Sequence, residues 1–171
     1  MIRLRRSEEL HGLALEVLRT ERDRLATLGV PGEVVLVGGT SVPGALTLGD
    51  VDLHLRVPAA AEFSAVVALL RDSHPVLYPE AWAPTLAVFA VRAPVPAGLA
   101  VTPAGSEHDL RFTRSWQLLS ADPALLSQYN AVKRSAARTS AYSAEKSAFF
   151  EHLLELWPDH PAGGKSENPS R

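Results

Sequence analysis

Gly38-Gly39-Thr40-Ser41-Val42-Pro43-Gly44 leads, after a short spacer, into Asp50-Val51-Asp52-Leu53-His54-Leu55-Arg56-Val57. The second segment alternates strictly. Val51, Leu53, Leu55 and Val57 take one side of an extended chain, and Asp50, Asp52, His54 and Arg56 take the other. It reads as a β-strand with one apolar face. The first segment leaves a short apolar run, residues 33–37, that reads as a buried strand. Its paired glycines permit positive φ and close approach of the backbone to a ligand. Such a turn offers amides, and the hydroxyls of Thr40 and Ser41, to phosphate oxygens, and a helix starting there would add partial positive charge. Gly38, Gly39, Thr40 and Ser41 are therefore candidate phosphate-binding residues, although a turn of this composition also serves as a simple chain reversal.

Residues two apart on a strand share a face, so Asp50 and Asp52 can share one divalent cation. Mg²⁺ or Mn²⁺ takes hard oxygen ligands and keeps waters and substrate phosphates in its remaining positions. The pair is a candidate metal and catalytic site. The alternation equally suits an edge strand whose polar side is solvated. His54 then either joins a cation beside the aspartates or continues the polar face.

Around this centre the pattern is mixed. Apolar residues at three- and four-residue steps predict a helix over residues 7–28, with Ser7 as N-cap and Gly29 as stop. A second helix is expected over 59–71. Further strands are expected at 76–78, 85–92 and 99–102, separated by turns such as Ala93-Pro94-Val95-Pro96. Helices are expected near 106–119, 122–138 (Asp122 as N-cap, Pro123 in first position) and 143–157. The expected fold is α/β (α+β), a mixed sheet of four to five strands flanked by helices, with a helical C-terminal half. Residues 1–157 read as one domain and 158–171, rich in Pro, Gly, Ser and charge, as a disordered tail.

A chain of 171 residues suffices for one ordinary core. It contains no cysteine, which excludes disulfides and thiolate metal sites. No apolar run approaches the roughly 20 residues of a membrane span, and no leader pattern opens the chain, so a cytoplasmic location is expected. The net charge of -2 disfavours a long nucleic acid as partner and favours small substrates.

The glycine turn and the strand aspartate resemble the GrpB-like family of the nucleotidyltransferase superfamily, whose signature is Gly-Ser-Thr-Ser-Val-Pro-Gly followed by an aspartate-bearing strand. Gly38, Thr40, Ser41, Val42, Pro43 and Gly44 match it, and Asp52 falls on the family aspartate. Two later blocks are similar as well, Pro123 with Tyr129, Lys133 and Arg134, and Tyr142 with Lys146 and Phe149. The resemblance implies a nucleotidyltransferase-like fold and transfer of a nucleotidyl group from a nucleoside triphosphate to a small acceptor. It equally allows a catalytically silent module that binds a nucleotide-containing ligand or a protein partner. Gly39 replaces a family serine, and Asp50 stands where many members have isoleucine. The superfamily's third carboxylate has no counterpart in residues 85–92 or 99–102, and Gly98-Leu99-Ala100 occupies a stretch where members often carry His-x-His.

Only three lysines occur, two of them in the helical half. Lys146 precedes Phe149, Phe150, Leu153 and Trp157 at helical spacing, which puts it on an apolar face. Its ammonium either snorkels to water or is presented to the phosphate site. Lys133, at the edge of the stripe Leu125, Tyr129, Val132 and Ala136, is the second candidate phosphate ligand. Arg111 and Arg114 read as surface arginines at least as readily as phosphate contacts.

Overall fold

The computed structural model describes residues 3–136 and 142–157. The expected tail at 158–171 and the end of the helix expected to reach 138 lie outside them. β1 (Arg5–Arg6) pairs antiparallel with β3 (Leu46–Thr47) in a small ribbon that the sequence pattern did not announce. The main sheet contains β2 (Glu33–Val37), β4 (Val51–Val57), β5 (Ala87–Ala90) and β6 (Ala97–Pro103), in the order β2-β4-β6-β5. β4 runs parallel to β6, and the other two pairings are antiparallel. A mixed four-stranded sheet is the expected fold class.

β4 is therefore a central strand, not the edge strand its polar face allowed. Val51, Leu53, Leu55 and Val57 are at most 1% exposed. They pack with Leu99, Val101 and Phe89 against α1 (His11–Thr27) and α2 (Phe63–Arg71). Each Å² of apolar surface this layer removes from water stabilises the fold by about 25 cal/mol. The opposite face of the sheet is covered by α3 (Glu107–Ala121), with α4 (Pro123–Ala136) and α5 (Tyr142–Glu155) beyond it. A second apolar cluster, including Leu119, Leu125, Tyr129, Phe150 and Leu153, joins these three helices to Val42 and Ala45 of the glycine loop.

Helix starts follow local chemistry in two cases and tertiary contacts in a third. Ser106 caps α3 by accepting from the Asp109 amide, and the Asp122 carboxylate accepts from the amides of Ala124 and Leu125 at the head of α4. Ser7 is not the N-cap of α1. It is buried in a short 3₁₀ turn, its amide donating to the Ala45 carbonyl, and α1 begins only at His11. The helix expected from residue 59 likewise starts with a 3₁₀ turn, Ala60–Glu62. The strand expected at 76–78 is reduced to one isolated bridge, Val76 to Phe89.

Candidate functional site

The glycine loop is held from both sides. Glu8 accepts from the Gly44 amide at 2.7 Å, while Asn130 of α4 accepts from the Leu46 amide at 2.8 Å and donates to the Gly44 carbonyl at 2.9 Å. Within the loop, the Ser41 amide and hydroxyl both donate to the Gly38 carbonyl, which closes a single 3₁₀ turn over Gly39–Ser41. Gly38 has φ +76°, and a β-carbon there would run into the Asp52 carboxylate. The turn and the central strand thus meet in direct contact, which only glycine allows.

Gly38, Asp50, Asp52 and Lys146 line one cavity of about 900 Å³ between the sheet and the helices α3 and α5. Asp50 is steadied by the Thr47 hydroxyl at 3.3 Å, which itself accepts from the Gly49 amide. Burial, and then the neighbouring charge of Asp50, push the Asp52 carboxyl up to about 6, against the pull of Lys146 and Lys133. Lys133 is buried, with its ammonium 5.5 Å from the Tyr129 ring centroid. Burial and the like charge of Lys146 push it down to about 8, while Asp50 and Asp52 act in the opposite direction. The two carboxylates and two lysines share one electrostatic field.

The other candidates divide. Gly39, Thr40, Ser41 and Lys133 do not line the cavity. Thr40 is 1% exposed, and its hydroxyl has no hydrogen-bond partner among the described residues. Gly39 faces the loop's own support, since a β-carbon there would meet the Leu46 carbonyl at 3.0 Å and the Tyr129 hydroxyl at 3.3 Å. Lys146 is half-buried and borders the cavity. His54 does not continue a solvated face. It is 0% exposed, bonded to the Thr102 hydroxyl at 2.8 Å and tilted over Phe112 at 5.0 Å. Burial pushes it down to about 4, so it is neutral near pH 7.

Next along the same face, Arg56 holds buried Asp109 through two hydrogen bonds, 2.6 and 2.9 Å, and the Gly105 amide adds a third at 2.7 Å. This pair fastens α3 to β4. Arg111 lines the cavity, whereas Arg114 lies over the Trp157 ring at 5.2 Å. The place of Arg111 was legible as a helix face shared with Phe112, Ser115 and Trp116, but its charge alone did not single it out.

As a cation site, Asp50, just before β4, and Asp52, within it, offer two hard donors, and the burial and neighbouring Asp50 charge that raise the Asp52 carboxyl are costs that a divalent ion would offset. Among the described residues no three His, Cys, Asp or Glu side chains converge. Gly98, the register partner of Asp52 on β6, brings no carboxylate. An ion there would take its remaining ligands from water and substrate.

The family model described as GrpB protein matches residues 15–156. The crystal structure of the conserved protein GrpB from Enterococcus faecalis superposes with a TM-score of 0.62 at 16% identity, over 84% of this chain and 94% of that one. The likeness is one of fold. A chain from a structure of the GLD-2/RNP-8 complex gives a TM-score of 0.45 at 18% identity, over 89% of this chain and 66% of that one. No curated protein matches.

Proposed function

The chain belongs to the GrpB family, and on that premise we propose that its cavity is a nucleotide site in which Asp50 and Asp52 hold Mg²⁺ or Mn²⁺. The observation that carries this reading is the contact of the Gly38 turn with Asp52 at one end of a single cavity that Asp50 and Lys146 also line. Gly38 leaves room for the Asp52 carboxylate and borders the cavity beside it. Lys146 supplies positive charge at the wall, and Lys133 supplies it from behind. Thr40 and Ser41 hold the shape of the turn, because the Ser41 hydroxyl is engaged with the Gly38 carbonyl and Thr40 is sealed.

A bound divalent cation would neutralise triphosphate charge and withdraw electrons from the α-phosphorus. The chemistry this suits is nucleotidyl transfer. An acceptor oxygen bonds to the α-phosphorus, the bond to the pyrophosphate oxygen breaks, and the acceptor proton leaves to a carboxylate or to water.

A second reading is a binding module without turnover. The lack of a third converging carboxylate among the described residues favours it. Thermal melts with each of the four nucleoside triphosphates, with and without Mg²⁺ or Mn²⁺, test the shared element of both readings. At least one triphosphate should raise the Tm in a cation-dependent way, because a ligand that binds only the folded state stabilises it. Loss of labelled-nucleotide transfer in Asp52→Asn then separates enzyme from module, and no shift with any triphosphate would reject the triphosphate site, leaving a module for another nucleotide-containing ligand or a protein partner.

A further inference from the structure

The cavity is larger than the acidic end requires. Beyond Asp52 its floor consists of Gly98, Ala100, Ala90 and Val88, which share the sheet face of Asp52 by register. These small side chains leave a trough. Its roof is aromatic, with Phe112, Trp116 and Phe150 along it and the last two packed edge to face at 5.3 Å. Three further features point to an occupant. Ser115 lines the trough, 2% exposed, and its buried hydroxyl has no hydrogen-bond partner among the described residues. A buried hydroxyl of this kind is unfavourable unless something bonds to it. Arg92 and Arg111 also line the cavity, and neither forms an ion pair with a described residue. Tyr78 also lines the cavity, 58% exposed and held at φ +47°, a strained left-handed conformation that tends to persist at ligand clamps.

Resting on the nucleotide reading of the acidic end, we infer that this trough is the acceptor pocket and that it takes a small organic anion with a flat, apolar body. The apolar body lies on the glycine and alanine floor beneath the aromatic rings, the anionic group meets Arg92 and Arg111, and a polar substituent bonds to Ser115. A nucleobase fits the trough less well. Its hydrogen-bonding edge would find one hydroxyl and hydrocarbon, and it would leave two guanidiniums unanswered. The volume accommodates a ligand of drug size.

The probes are anilinonaphthalene sulfonate, an aromatic anion, and phenylnaphthylamine, its uncharged analogue, titrated by fluorescence into the full chain. The expected result is one saturable site that prefers the sulfonate. Arg111→Gln should weaken it about tenfold through loss of a charge-assisted contact. Gly98→Leu should abolish it by filling the floor, since a β-carbon at Gly98 meets nothing closer than Leu77 at 3.5 Å and the fold has room for it. Both variants are first matched to the parent in circular dichroism and Tm. Asp52→Asn should retain a saturable dye site while removing cation-dependent nucleotide stabilisation. An intact dye site beside an absent nucleotide shift would sustain the pocket and reject the nucleotide reading. No saturable site, equal affinity for the two dyes, or binding indifferent to both Arg111→Gln and Gly98→Leu would overturn the inference.

Discussion

Gly38 and Asp52 occupy the same space to within one carbon atom: the position a β-carbon would take on Gly38 is filled by the Asp52 carboxylate. Gly38→Ala therefore combines strain at φ +76° with a collision. It should destabilise the fold by about 1–3 kcal/mol and displace Asp52 from the cavity wall. Urea denaturation reads the first effect as a lower midpoint, and weaker Mn²⁺ binding reads the second. A variant of unchanged midpoint would mean that the turn relaxes freely.

Gly98→Asp should build the carboxylate that the strand lacks. Gly98 is the register partner of Asp52 on the parallel neighbour, and its β-carbon would make only ordinary contacts. A third carboxylate there should lower the Tm in chelator by like-charge repulsion and raise it in Mn²⁺ beyond the increase seen in the parent. Equal responses of variant and parent to Mn²⁺ would argue that the face of β4 does not hold a cation.

Asp109→Ala should loosen α3. It removes the acceptor of both Arg56 bonds and of the Gly105 amide from a position 0% exposed. Burial alone would raise the Asp109 carboxyl, but the bonds from Arg56 and Gly105 outweigh it and hold it below the usual carboxylate range. Arg56 is one-third exposed and can recover water, so a cost of about 1–3 kcal/mol is expected rather than that of a fully buried pair. Thermal or urea unfolding measures it, and a cost near zero would show that the pair is dispensable.

His54 should make the protein acid-labile. Its folded value of about 4 lies below the ordinary 6.5, so below pH 6.5 the unfolded chain binds more protons and stability falls. The contribution is complete above pH 6.5 and is lost as pH drops through about 4. An NMR titration that found the His54 ring protonating near pH 6.5 would contradict its burial.

Much of this was legible because β4 declares itself twice. The spacing of Val51, Leu53, Leu55 and Val57 set the buried face, and Asp50 and Asp52 marked the other. Alternation could not reveal what lies over that other face. Whether His54 and Arg56 meet water or α3 depends on the partner of β4, a long-range fact that period two does not encode. Ser7 suits a cap by residue type, but it opens a separate 3₁₀ turn anchored to Ala45, and α1 starts four residues later at His11. The trough was hidden in an absence, because Gly98 and Ala100 are informative only once Asp52 is known to lie beside them.

Asp50 and Asp52 are proposed to hold one divalent cation together with a nucleotide. Electron paramagnetic resonance titration of Mn²⁺ with the parent and with Asp52→Asn, each with and without the stabilising triphosphate, tests it most directly. One Mn²⁺ per chain, bound more tightly with the triphosphate and lost in a folded Asp52→Asn variant, is the expected result. Mn²⁺ affinity that is absent from the parent, or equal in the two proteins, would contradict it.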